Sequence, residues 1–191
     1  MRRNELTRAA GRLVLPSGFP DFHAKASFIM HSITPDEIRR SFINASRSEV
    51  KAITFPADLE QRPWDSLDYL GWRDPKMPQR GYLLYPSTSG LTGVLLRAPE
   101  SGGRARKVLC ELCRDVRSDV EALLYVARKS GPSGRDGNTV GTLICSGFQC
   151  SANARTEPPA SLRPADPEAH RREQIAGLHH RLERFIMAVH G

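Results

Sequence analysis

The chain has 191 residues, of which 39% are apolar and only 7% aromatic, and this composition predicts one modest hydrophobic core instead of two large domains. No apolar run approaches the length needed to span a bilayer, and the N-terminus lacks the pattern of an export signal, so we expect a cytoplasmic protein without a membrane partner. Lysine and arginine outnumber the acidic residues by 28 to 21, and the net charge of +7 fits either an acidic partner or a basic surface that keeps the protein soluble.

Residues 1–29 are expected to form a poorly ordered basic arm, because arginines alternate there with glycine and proline and no sustained periodicity is present. Such an arm could bind RNA. The remainder, residues 30–190, is predicted to form a single domain, and we expect a monomer.

A helix is predicted to begin at Thr34. Its hydroxyl can cap the first turn, Pro35 suits the first helical position, and Glu37 lies three residues after the cap. Ile38 and Phe42 follow at helical spacing, so this short helix presents a buried stripe.

Both tryptophans, Trp64 and Trp72, fall in the turn-rich segment 62–75. Mixed with charged residues, they could form a recognition surface. They could equally attach an irregular loop to a small sheet, and we favour this reading because the chain has few other large apolar residues. The next segments, Gly81–Tyr85 and Leu91–Arg97, have the β-rich composition and the intervening turn residues of a hairpin.

Two further strands are predicted, over Ala122–Arg128 and Asn138–Ile144, with residues 131–137 as the turn or loop between them. A short helix is predicted within residues 146–155. These elements frame the only cysteines in the chain, which occur as two close pairs.

The first pair is Cys110 and Cys113, and the second is Cys145 and Cys150. Each spacing can place two thiolates on one side of a metal ion, so the two pairs together supply the four sulfur ligands of a structural Zn²⁺ site. Two disulfides are the alternative, which a reducing cytosol disfavours. A redox role for the first pair is a further possibility, because two intervening residues also suit dithiol exchange.

The order of these elements is that of a treble-clef zinc finger: a cysteine turn, a hairpin and a helix that carries the last ligand. We expect the finger over about residues 104–156. The predicted fold class is therefore α+β, with a small antiparallel sheet and a treble-clef zinc finger flanked by an N-terminal helix and a long C-terminal helix.

The C-terminal helix is predicted over residues 167–189, with Asp166 as its cap and Pro167 at its first position. Apolar residues repeat on one face, which could dock on the first helix, on the sheet or on a partner protein. We expect five residues to point largely outward: Arg171, Arg172, His179, Arg181 and Arg184.

Four parts of the sequence share a pattern with a known group: the run from Arg62 to Pro75, the first cysteine pair, the turn and strand Gly137–Gly141, and Ile144–Ser151 with Arg155. Together they resemble the elongation factor G-binding family, which includes the fusidic-acid-resistance proteins. The resemblance covers roughly residues 34–190. It implies a C-terminal treble-clef zinc domain whose metal ligands are Cys110, Cys113, Cys145 and Cys150.

The resemblance further implies a protein that binds elongation factor G and modulates its release from the ribosome. The alternative is a zinc finger that binds ribosomal RNA, with basic residues at phosphates and exposed aromatics such as Phe148 and Tyr125 stacked on bases. The candidate partner-binding residues are Arg128, Lys129, Arg135, Phe148 and Arg155; for the cations, the alternative is a solvated basic face. No spacing selects catalytic residues, and we expect no enzymatic activity.

Overall fold

The computed structural model describes residues 30–87, 90–99, 107–117 and 120–191. The predicted basic arm, residues 1–29, lies outside these ranges, as do residues 104–106 at the start of the predicted finger.

The described chain begins with two short helices, continues through the strands and ends with a long helix. The elements are α1 (Pro35–Ser41), α2 (Arg47–Lys51), β1 (Leu70–Arg73), β2 (Arg80–Ser87), β3 (Gly90–Arg97), β4 (Ala122–Arg128), α3 (Gly131–Arg135), β5 (Thr139–Cys145), α4 (Cys150–Asn153) and α5 (Pro167–His190). The strands form one antiparallel sheet in the order β1-β2-β3-β4-β5. The predicted α+β class, small antiparallel sheet and two flanking helices are confirmed.

The capping residues predicted for α1 and α5 form the expected hydrogen bonds. The Thr34 hydroxyl accepts from the backbone N–H of Glu37, and the Glu37 carboxylate accepts from the backbone N–H of Thr34. At the start of α5, the Asp166 carboxylate accepts from the backbone N–H of Ala169 at 2.9 Å. These bonds satisfy N–H groups that would otherwise lack partners in a first helical turn.

The favoured reading of segment 62–75 is confirmed for Trp72, which is buried on the sheet against Tyr82 of β2 with ring centroids 4.8 Å apart. The segment is not wholly irregular, however, because it contains the strand β1. Another local prediction is wrong. The loop predicted over 131–137 contains the short helix α3, in which Pro132 occupies a first-turn position that requires no N–H partner.

The two halves of the sheet are joined by a side chain as well as by backbone. β3 and β4 pair at a single register, Arg97 opposite Val126. Beside it, the Asn44 amide donates to the carbonyls of Leu95 and Arg128 and accepts from the N–H of Leu95. Asn44 is buried, and it replaces the missing ladder bonds between the two strands.

A hydrophobic core lies on each side of the sheet. On one side, the segment that contains α1 and α2 covers an aromatic and aliphatic cluster that includes Ile38, Trp72 and Tyr82. On the other side, the four cysteines, α5 and the remaining sheet residues form a larger core. The finger is therefore not an appendage, because its cysteines belong to the core that covers the sheet.

Phe148 connects the finger to the sheet. Its side chain lies over Gly71 of β1 and Gly81 of β2, where an added Cβ would come within 2.5 Å and 2.9 Å of the ring. Its own backbone adopts a left-handed conformation, with φ 59°. The expectation that Phe148 and Tyr125 are exposed is wrong: both are buried, and their ring centroids are 5.2 Å apart. The two glycines provide the space that the ring requires.

The long helix α5 packs on β5 and α4, so its apolar stripe docks on the sheet and the finger. Its C-terminal end is held by Ser130, whose backbone N–H donates to the carbonyl of Val189 at 2.7 Å.

Two of the α5 residues expected to point outward do not. His179 and Arg181 are half-buried, because both hydrogen-bond across to other elements. Within the described ranges, no helix combines the length and the apolarity that a bilayer span requires.

The contact between Phe148 and the glycines predicts that Gly71→Ala destabilises the zinc-loaded protein. The added methyl group must displace the ring or the strand, and overpacking of this kind costs about 1–3 kcal/mol of the free energy of unfolding. Denaturant unfolding measures the change. Gly141→Ala is the matched control, because an added Cβ on that strand residue meets nothing closer than 3.6 Å. Equal stability of the two variants would contradict the assigned contact.

Candidate metal centre

The four cysteines, which lie in three separate segments, converge on one point. Their Sγ atoms all lie within 4.8 Å of one another, and all four residues are buried. Sγ of Cys113 lies 3.5 Å from Sγ of Cys145, and Sγ of Cys110 lies 3.6 Å from Sγ of Cys150. Each of these two contacts joins one cysteine of the first pair to one of the second.

Local backbone structure positions each ligand. Cys110 and Cys113 lie on a tight turn closed by the N–H of Arg114, which donates to the carbonyl of Cys110 at 2.9 Å. Cys145 is the last residue of β5, and Cys150 is the first residue of α4. The turn is tied to the hairpin, because Glu111 N–H donates to the carbonyl of Leu143.

The sulfur geometry fits one zinc ion. A tetrahedral site with Zn–S bonds of about 2.3 Å has S···S edges of about 3.8 Å, close to the separations observed. A disulfide would require about 2.05 Å, and all four cysteines are free. The predicted structural Zn²⁺ site is confirmed, with Cys110, Cys113, Cys145 and Cys150 as ligands. Four protein ligands complete the tetrahedron, so the ion stabilises the fold and has no position for a substrate.

The four thiols hydrogen-bond to one another. Hydrogen bonds from Cys113, Cys145 and Cys150 lower the pKa of the Cys110 thiol. The hydrogen bond to Cys110 opposes ionisation of Cys113, but those from Cys145 and Cys150 outweigh it and lower the pKa of Cys113 to about 7. The pKa values of Cys145 and Cys150 are raised, first because each thiol is hydrogen-bonded to Cys110 and also because both are buried. Two of the thiols therefore ionise more readily than usual and the other two resist ionisation. A divalent ion removes this restriction, because it stabilises all four thiolates together.

Asn153 provides a polar neighbour for the thiolates. Its amide nitrogen lies 3.3 Å from Sγ of Cys145 and 3.7 Å from Sγ of Cys113, and its amide oxygen accepts from Arg117 at 2.9 Å. Arg117 is in turn paired with the carboxylate of Asp115. The chain Asp115–Arg117–Asn153 thus fixes the orientation in which the amide N–H groups face sulfur.

The helix α5 also supports the cysteine turn. Arg181 Nε donates to the carbonyl of Leu112, between the two cysteines, at 2.6 Å. Burial lowers the pKa of Arg181, and the neighbouring Arg114 guanidinium lowers it further, whereas the cysteine thiolates oppose the shift. A four-thiolate zinc site carries a net charge of about −2, so cations beside it offset that charge.

Tyr69 links the finger to the sheet beneath it. Its hydroxyl donates to the carbonyl of Phe148 at 3.0 Å. Burial raises its pKa well above the ordinary value, and the nearby Cys150 thiolate raises it further, so the hydroxyl stays protonated and remains a donor.

A buried ionic network surrounds Asp68. Its carboxylate forms an ion pair with Arg155 and lies 2.9 Å from Nε2 of His179, while its backbone N–H donates to Ser151 Oγ at 3.0 Å. Burial alone would raise the pKa of Asp68, but the hydrogen bonds and charges of His179 and Arg155 outweigh it and hold the pKa below its usual value. Tyr85 extends the network to Nδ1 of His179.

The candidate partner-binding residues do not form one surface. Arg128, Lys129 and Arg135 lie toward the end of the β4–β5 hairpin opposite Cys145, roughly 20 Å from it at the usual rise per strand residue. Arg155 lies beside the finger, but its guanidinium binds Asp68 and the carbonyl of Ser151. Their contact with a partner stays a prediction.

Sequence reasoning missed the neighbours of the thiolates. Asn153 follows Cys150 by three residues in a predicted helix, and this spacing could have indicated that it lies on the ligand side. The pairing of Asp68 with His179 had no local signal, because 111 residues separate the two. His179 is half-buried although it was expected to point outward, whereas the adjacent His180 is exposed.

A protein-family model described as the FBP C-terminal treble-clef zinc-finger matches residues 37–189. A comparison with curated proteins found no match. Because the family model covers most of the 191 residues, the chain belongs to this family, and the predicted treble-clef domain is confirmed.

The position of Asn153 predicts that Asn153→Ala weakens zinc binding. Removal of a group that hydrogen-bonds to metal ligands typically costs 10–100-fold in affinity, and we expect a loss of about that size. Competition with a chromogenic chelator measures it. The matched control is Asn138→Ala, an exposed asparagine whose side chain donates to Ser133 Oγ. An unchanged affinity in Asn153→Ala would mean that the amide does not stabilise the thiolates.

The network around Asp68 predicts a large effect for Asp68→Asn. The substitution leaves Arg155 without its charge partner, and we expect a loss of about 2–3 kcal/mol in the free energy of unfolding. This is below the range for fully buried pairs, because the Arg155 side chain is 31% exposed. The control is Glu157→Gln, which removes the exposed pair with Arg163 and should cost less than about 1 kcal/mol. Similar losses in chemical denaturation would refute a buried, stabilising network.

Proposed function

We propose that this member of the FBP C-terminal treble-clef zinc-finger family binds elongation factor G and modulates its release from the ribosome, without catalysis of its own. The family's zinc-finger domain supports a zinc-stabilised binding protein. The named partner follows from the resemblance of the sequence segments to the elongation factor G-binding family. Such a partner implies that the protein acts in the cytoplasm.

The observation that carries the proposal is the closed and buried cysteine cluster. Four protein ligands leave no coordination position for substrate or water, and each cysteine is at most 1% exposed. The metal site therefore stabilises the fold, and with it the protein surface that a partner can bind. In small modules structural zinc contributes on the order of 10 kcal/mol, comparable to the stability of an ordinary domain.

The segments that carry the resemblance also meet in space. Asp68, from the tryptophan-containing segment, pairs with Arg155 after the second cysteine pair. Gly71 of the same segment lies under Phe148. The family-like residues thus build one unit in which the finger is fixed to the sheet, and a rigid unit of this kind suits docking to another macromolecule.

The RNA-binding alternative is supported less well. It relied on exposed aromatic rings for base stacking, and Phe148 and Tyr125 are both buried. Basic charge remains in its favour, with a net +7 for the chain.

Calorimetry of the zinc-loaded full chain against purified elongation factor G tests the proposal. We expect saturable binding without any RNA present. Cys145→Ser should reduce the affinity by about 100-fold or more, because loss of a ligand unfolds the finger. Glu157→Gln changes an exposed residue that is not a metal ligand; it is the control and should bind like the wild type.

Absence of binding to the factor, together with salt-sensitive binding to ribosomal RNA, would overturn the proposal in favour of the alternative. Equal binding by Cys145→Ser would show that the finger is not needed for the contact.

A further inference from the structure

Over most of its length, the outer edge of β5 has no backbone partner among the residues that the structure describes. β5 is the last strand of the sheet and pairs with β4 on one side only. On the other side, the described residues provide one backbone bond, from Glu111 N–H to the carbonyl of Leu143. Because backbone groups alternate in direction along a strand, Thr139 and Gly141 point their N–H and C=O groups toward the same outer side.

This edge lies in an open groove of about 510 Å³ between the cysteine turn, β5 and α5. Thr139 and Gly141 are exposed. Gly141 has no side chain to shield its amide, so a second polypeptide can approach the backbone closely. Toward the finger, the bond from Glu111 closes the edge, and an added strand would therefore pair beside residues 139–141.

Three arginines line the groove: Arg114, Arg181 and Arg184. The zinc–thiolate charge beside Arg114 and Arg181 offsets theirs, and Glu111, the acidic residue among the described lining, lies 3.9 Å from Arg114. Arg184 is exposed and forms no ion pair with the described residues, so it remains available to an acidic partner beside the β5 edge.

Apolar surface accompanies the charge. Leu124, next to the edge on β4, is 45% exposed, and Val140 and Ala188 also line the groove. Antiparallel pairing presents side chains alternately to the two faces of a sheet. A strand added here would place some side chains near Leu124 and others near the arginines of α5.

We propose that the free edge of β5 binds an extended acidic segment of a partner protein, which pairs with residues 139–141 as a sixth strand. This inference goes beyond the proposed function, because it applies to any partner that presents such a segment. An unpaired strand edge matches the donors and acceptors of a peptide backbone. RNA fits less well, because Phe185, the aromatic residue of the groove, is buried.

The test uses the zinc-loaded full chain and a short synthetic peptide in which glutamate alternates with valine. Hydrogen exchange is followed at single amides with and without saturating peptide. We expect the Gly141 amide to exchange at least about tenfold more slowly in the complex, because it gains a hydrogen bond. The amides of Val140 and Thr142, which point toward β4, should change little. This alternation distinguishes strand addition from contact through side chains alone.

Two variants test the two components of binding. Arg184→Glu should weaken the peptide about tenfold, because a charge at the rim of the groove is reversed. Arg172→Glu is its matched control on the same helix, exposed and outside the groove, and should bind like the wild type. Gly141→Pro removes the outward N–H and should abolish binding while zinc content is retained.

The same peptide with alternate amides N-methylated, and a lysine-valine counterpart, should not bind. Uniform or absent protection along β5, equal binding of the lysine peptide, or tighter binding of a single-stranded oligouridylate in this groove would each overturn the inference. Binding of elongation factor G that is unaffected by Gly141→Pro and by excess peptide would leave the proposed function intact and place its contact elsewhere.

Discussion

The structure depends on four thiolates that share one divalent ion. Without metal, the pKa values of Cys110 and Cys113 are lowered and those of Cys145 and Cys150 are raised, so the four thiols do not ionise together. With metal, the cysteine turn, the end of β5 and the start of α4 are fixed to a common point, although 40 residues separate the first ligand from the last. Only 7% of the residues are aromatic, so the ion adds cohesion to a modest core.

A few contacts connect the four-cysteine site to the rest of the fold. Phe148 lies over two glycines of the sheet, Tyr69 donates to the carbonyl of Phe148, and Arg181 connects α5 to the cysteine turn. Asp68 adds a buried ionic link between the segment before β1, α5 and Arg155. A surface held this firmly can bind a partner at little entropic cost, which favours docking as its function.

Local chemistry explains what could be predicted from the sequence. The caps at Thr34 and Asp166 and the spacing of the cysteines specify geometry within a few residues, and the strands of both hairpins followed from composition and turns. The wrong predictions concern residues whose environment comes from distant parts of the chain. Phe148 is buried because glycines far away leave space for it, and His179 turns inward because Asp68 is a buried acceptor. No periodicity encodes such pairings.

Hydrogen–deuterium exchange of the full chain, compared before and after zinc removal, tests the central claim most directly. The account predicts that protection is lost by about 100-fold or more in the cysteine turn, at the finger end of β5 and α4, and in the part of α5 around Arg181, because the ion joins the cysteine turn, β5 and α4, and Arg181 hydrogen-bonds α5 to that turn. Protection that stays unchanged in these segments after the metal is removed would contradict it.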